Sequence, residues 1–151
     1  MNENTMLEPC EVENVADFIF GGHSEFTIKN MNSGRAFKYR VSEAKKKKDL
    51  FYVSVNESGS YVYAGYIQRD SNRLFYSKGR NGYFDTNTDP IKGLLWSIRK
   101  GNNPLPRPMI MLHHGKCACC GKKLDDEISV ARGFGPVCWK RLHERAVGGA
   151  Q

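Results

Sequence analysis

Four of the five cysteines lie at Cys117, Cys119, Cys120 and Cys138, and no other feature limits the possible folds of this 151-residue chain so sharply. The segment they occupy is too poor in apolar side chains to hold itself together, so the thiols are expected to brace it. Two kinds of brace are available, a disulfide or a metal ion. The first 20 residues hold Glu3, Glu8, Glu11, Glu13 and Asp17 and no lysine or arginine, the reverse of a secretory leader. The chain is therefore expected to remain in a reducing compartment, the cytoplasm, where thiols stay free. A dense cysteine patch in that setting points to metal.

The spacing supports the same reading. Cys117-x-x-Cys120-Gly121 is a knuckle: two thiolates two residues apart can both face one ion about 2.3 Å away. Gly121 can take the positive φ that brings backbone N–H groups toward the sulfurs. Gly135-Pro136-Val137-Cys138 reads as a helix start with Pro136 at the first helical position. Cys138 then sits in the first turn, where the helix dipole favours a thiolate. Structural zinc takes four protein ligands. The expected set is His113, Cys117, Cys120 and Cys138 around one structural ion, with His114 the competitor for the first place. His143, five residues past Cys138, lies roughly 140° around the helix and points elsewhere. Cys119 is expected to face away as a bystander. Four buried reduced cysteines and a redox CxxC are the rival readings. The redox motif ordinarily opens a helix itself, and Gly121-Lys122-Lys123 does not look like a helix start.

Cys117, Cys120, Gly121, Lys122, Leu124, Ser129, Val130, Gly133, Gly135, Pro136 and Cys138 together spell CxxCG(R/K)xL…S(I/V)…GxGPxC. The pattern resembles a zinc-binding family of unknown function that occurs in many phage and bacterial proteins. Members often carry a histidine four residues before the first cysteine, which falls on His113. Phe26-Thr27-Ile28, Arg35–Val41, Tyr63–Tyr66 and a helix bearing Trp96 also resemble longer phage members. Lys122 replaces the more usual arginine, and Cys119 is extra. The resemblance implies zinc and a phage origin, hence a host cytoplasm, and implies no activity.

The rest of the chain reads as an antiparallel meander. Ser24–Asn30, Arg35–Ser42, Leu50–Val55, Tyr61–Gln68 and Arg73–Ser77 alternate or are rich in aromatic and β-branched residues, with turn residues between them. Lys45–Lys48 falls in a loop. Asp89 as N-cap and Pro90 at the first position open a helix whose Ile91, Leu94, Leu95 and Ile98 form a core stripe. Gly101 stops it, and Met109–Leu112 is a short strand. Val12, Val15, Phe18 and Ile19 suggest a short amphipathic helix ended by Gly21-Gly22. The expected fold is α+β: an antiparallel β-sheet with one packed helix and a C-terminal zinc-ribbon or treble-clef-like module. The expected divisions are an acidic arm at 1–22, a sheet domain at 23–108 and a zinc module at 109–147. The longest apolar stretch, near Met109–Leu112, falls far short of the roughly 20 residues that span a bilayer, so no membrane partner is expected.

Charge suggests the function. The net charge is +7, but the five acids at the start hide a body, from residue 21 on, with 23 basic and 11 acidic residues, or +12. Such an excess favours a polyanion, DNA or RNA. Lys122 and Lys123 on the knuckle, with Lys140, Arg141 and Arg145 along the last helix, are the expected phosphate contacts. The sheet offers a second surface, where aromatics interleave with bases at Lys38-Tyr39-Arg40 and around Phe75-Tyr76. The expected function is a non-catalytic, zinc-stabilised nucleic-acid-binding accessory protein. The alternative is a protein-interaction module that inhibits or redirects a host complex, with the acidic arm meeting a basic partner. No paired carboxylates, serine nucleophile or phosphate-binding glycine loop suggests an enzyme. A His-metal nuclease would need a further histidine or asparagine on a helix, and the surroundings of His143 do not match.

Overall fold

The structure is a computed structural model that describes residues 10–70, 73–80 and 82–149, with side chains to Glu144 at the C-terminal end. Five strands form the expected meander: β2 (His23–Asn30), β3 (Ala36–Glu43), β4 (Leu50–Glu57), β5 (Ser60–Asp70) and β6 (Arg73–Lys78). Two more strands, β1 (Cys10–Glu11) and β7 (Met109–His113), complete one antiparallel sheet of order β1-β7-β2-β3-β4-β5-β6. The strand leading into the cysteine segment is thus an inner strand of the main sheet, paired with β2 from Phe26–His113 to Asn30–Met109. Beside it runs β1, with Cys10 opposite His113. Residues 1–9 of the expected acidic arm lie outside the described residues.

Alternation decides which face is covered. Phe26, Ile28, Tyr39, Val41, Val53, Val55 and Met111 point to one side and are buried. Against them pack α1 (Val15–Ile19) and α2 (Asp89–Arg99). Sequence reasoning anticipated one packed helix, but α1 is a second, inserting Val15, Phe18 and Ile19 into the core. Helix α2 buries Ile91, Leu94 and Leu95. Its N-cap is Thr88 rather than Asp89, and Asp89 instead meets Arg35 at 2.8 Å. Tyr39 is fully buried and donates its hydroxyl to the Pro90 carbonyl at 2.7 Å, so its one polar atom is satisfied. Tyr76 likewise donates toward the carbonyls of Ala64 and Phe84. Tyr39 thus belongs to the apolar row of its strand rather than to a binding surface, and Tyr76 packs partly buried against the core.

Strand β5 contains a bulge. Val53 pairs with Gly65 and Ser54 with Tyr63, which leaves Ala64 as the extra residue. Tyr63 and Tyr66, three positions apart, consequently share a face. Gly65 is required here, because a Cβ would run into the Ser77 carbonyl of β6. Among the described residues, no helix is long and apolar enough to cross a membrane.

Phe18 joins the sheet to the cysteine segment. Its ring meets Phe26 edge-on at 6.2 Å, stacks on His113 at 5.5 Å and meets Phe134 edge-on at 6.1 Å. Phe18→Ala is expected to cost about 3–5 kcal/mol, the range for a large buried ring. Urea unfolding of the two proteins at one metal concentration checks this.

Candidate metal centre

Past β7 the chain turns at Gly115 and makes a small hairpin. Cys117 N–H donates to the Lys122 carbonyl at 2.8 Å, Gly121 N–H to the Cys117 carbonyl at 2.9 Å, and Leu124 N–H to the Gly115 carbonyl at 2.7 Å. Gly121 has φ 77°, the left-handed conformation anticipated for this position. A short helix that sequence reasoning missed follows, α3 (Glu127–Arg132). Its signal is present: Asp126 accepts the Ser129 N–H at 3.0 Å as N-cap, and Gly133 closes the helix at φ 79°. Gly133 also lies against Phe18, where a Cβ would stand 2.6 Å from the ring. Helix α4 (Pro136–Gly149) then begins as expected, with Cys138 in its first turn. Trp139, on the turn that carries Cys138, lies 5.8 Å from the Phe134 ring, and the Arg132 guanidinium stands 4.7 Å from its own ring.

The hairpin and α4 bring Cys117, Cys120 and Cys138 together, with all three sulfurs within 4.8 Å of one another. A tetrahedral ion with sulfur bonds of about 2.3 Å separates its ligands by about 3.8 Å. The three thiols therefore fit a metal with little adjustment, and they could hold one. Cys117 and Cys138 are buried, while Cys120 is exposed.

The electrostatics single out Cys117. Burial pushes its thiol up, but the N–H groups of Cys120, Gly135 and Cys119 point at the sulfur and bring the net shift down. Two of these contacts are 3.3 Å, from Gly135, and 3.4 Å, from Cys119. Without a cation, Cys138 is driven the other way, by burial and by the neighbouring Cys119 and Cys117 thiols. Crowded sulfurs of this kind lose their mutual repulsion when a divalent cation sits among them.

His113, expected as the fourth ligand, is not part of the cluster. Its ring is fully buried, with Nε2 donating to the Val130 carbonyl at 2.6 Å and Nδ1 accepting the Gly115 N–H at 3.0 Å. Both nitrogens are engaged, which leaves no lone pair for a metal. Burial lowers its pKa and keeps the ring neutral. His114 turns to Thr27 Oγ1 at 2.9 Å, and His143 packs on Trp139 at 4.4 Å between centroids. Cys119 is not one of the three clustered cysteines, although its thiol is among the neighbours that raise that of Cys138.

The basic residues named from sequence lie on the hairpin and on α4. Lys122, Lys123, Lys140 and Arg141 are exposed, and the Arg145 side chain lies outside the described part. Residues 112–143, about a fifth of the chain, match the model of a family of unknown function (DUF6011). The matched stretch holds the three cysteines and His113. No curated protein and no solved structure matches the chain.

Two predictions follow from the ligand geometry and the histidine. Cys117→Ser or Cys138→Ser should abolish stoichiometric metal retention after desalting, whereas His113→Gln should retain the metal while lowering stability; elemental analysis with thermal melts reads both. A neutral buried His113 has a folded pKa below its unfolded value, so the unfolded chain binds the extra proton. Stability should therefore fall as pH drops from about 7.5 to about 5.5, through the ordinary histidine range. Denaturant midpoints across that range should fall less for His113→Gln than for the parent chain.

Proposed function

We propose that this chain is a non-catalytic nucleic-acid-binding accessory protein whose C-terminal module is pinned by one structural zinc ion. The module is read as treble-clef-like: a knuckle supplies Cys117 and Cys120, and the first turn of a helix supplies Cys138. Sulfur donors at tetrahedral spacing suit zinc, and the ion's role is to fix the hairpin against α4.

The observation that carries the proposal is the exposure of Lys122, Lys123, Lys140 and Arg141 around the sulfur cluster of a strongly basic body. Among the described residues, none of the four forms an ion pair with a carboxylate. Cations fixed on a braced module can track a phosphate backbone without reading sequence. The non-catalytic reading is supported by the commitment of both His113 nitrogens to backbone groups, which takes the histidine nearest the cysteines out of proton transfer. Action in a host cytoplasm, from a phage-encoded gene, belongs to the same proposal.

Binding to labelled oligonucleotides, followed by anisotropy across a salt series, tests it. Affinity should fall steeply with salt, and each of Lys122→Ala, Lys123→Ala, Lys140→Ala and Arg141→Ala that removes a phosphate contact should reduce the logarithmic slope by about one. Folded, metal-loaded protein that binds no nucleic acid at low salt overturns the proposal. A host protein captured after nuclease treatment, and lost on deleting residues 1–20, would favour the protein-interaction alternative.

A further inference from the structure

The helices cover one face of the sheet, and the opposite face carries a row of aromatic rings. Tyr52 of β4 lies opposite Tyr66 of β5, Ser54 opposite Tyr63, and Gln68 of β5 opposite Phe75 of β6. Tyr52 and Tyr63 are each 44% exposed and Phe75 is 49% exposed, so these rings are not filling a core. Tyr52 and Tyr63 lie 6.2 Å apart at 62°. The bulge at Ala64 keeps both Tyr63 and Tyr66 on this side.

Two strands away, the same face holds a fixed cluster of charge. Glu25 of β2, with a side chain only 14% exposed, accepts the Tyr61 hydroxyl at 2.6 Å. Lys38 Nζ and Arg40 Nε each lie 3.6 Å from it, and Lys116 Nζ of the cysteine hairpin lies 3.5 Å away. The Arg40 guanidinium also stands 4.0 Å over the Tyr61 ring. One carboxylate thus organises three cations, and two positive charges remain unmatched within the cluster.

We infer that this open face binds single-stranded nucleic acid, with bases stacking on Tyr52, Tyr63 and Phe75 and phosphates meeting Lys38, Arg40 and Lys116. The inference rests on the nucleic-acid reading above and gives it a substrate class and a second surface. Neighbouring strands are about 4.8 Å apart, so β2 to β6 offers a strip roughly 20 Å wide. Exposed rings beside fixed cations match a strand whose base faces are free. A duplex hides those faces and would use only the cations. Lys116 reaches the cluster from the hairpin that contains Cys117, which ties this face to the braced module.

The test compares a labelled oligothymidylate about 16 nucleotides long with a duplex of equal length, using the full metal-loaded chain. The single strand should bind more tightly. Tyr63→Ala and Phe75→Ala should each weaken it by roughly tenfold with little change in salt slope, and Tyr63→Phe should retain binding. Arg40→Gln should lower the slope by about one. These side chains are exposed, and circular dichroism confirms that each variant is folded. Single-strand binding unaffected by both ring variants, or equal affinity for duplex, overturns the inference and leaves the nucleic-acid reading standing. Absence of binding to either oligonucleotide overturns both.

Discussion

A single buried imidazole holds the sheet and the cysteine segment in register. His113 ends an inner strand, stacks on Phe18 of α1, and spends one ring nitrogen on the carbonyl of Val130 in α3 and the other on the N–H of Gly115 at the turn. Each bond satisfies a backbone group that folding would otherwise leave without water. The turn at Gly115 sets the start of the hairpin, and α3 sets the approach of Gly135 and Cys138 to Cys117. The sulfur cluster is therefore assembled on a scaffold that the histidine pins from beneath, and the neutral ring is a structural part in its own right.

Most strands could be read directly from the residues. Period-two alternation in Phe26–Ile28 and Phe37–Val41, with turn chemistry between, located β2 and β3 to within a residue or two. The Pro90 start and the Ile91–Ile98 stripe located α2. Three features were less accessible. Pairing of β7 with β1 on one side and β2 on the other joins residues about 80 to 100 positions apart, and local periodicity carries no trace of such partners. The bulge at Ala64 breaks alternation, so an open-face ring at Tyr66 looks from sequence like part of the opposite set. Helix α3 spans only six residues, too few for a repeating stripe, and only its Asp126 cap and closing Gly133 marked it.

At the metal centre, the three cysteines followed from spacing because knuckle and helix-start geometries are local. The histidine did not. A histidine four residues before a CxxC satisfies the ligand count, but whether it faces the ion or the core depends on the strand's parity. His113 shares the inward face of β7 with Met111 and Met109, and that parity sends it toward Phe18 and α3. The basic residues were easy to locate and hard to rank, since exposed cations have no local pattern. Structure adds the grouping: Lys38 and Arg40 of β3 and Lys116 of the distant cysteine hairpin converge on one carboxylate.

The extra residue in β5 also governs which changes of length the chain can absorb. Loops commonly tolerate the loss of a residue, since their ends can drift together. Removing Ala64 would straighten the ladder opposite β4 with every other side chain still on its present face, since Ser54–Tyr63 and Val53–Gly65 are already successive pairs, but it would take away the carbonyl that accepts the Tyr76 hydroxyl and the Gly79 N–H. Tyr76 would then keep only the Phe84 carbonyl as acceptor, and the chain leaving β6 would lose its anchor at Gly79. The extra residue thus serves β6 and the turn beyond it, while the faces of β5 are set by the pairs on either side.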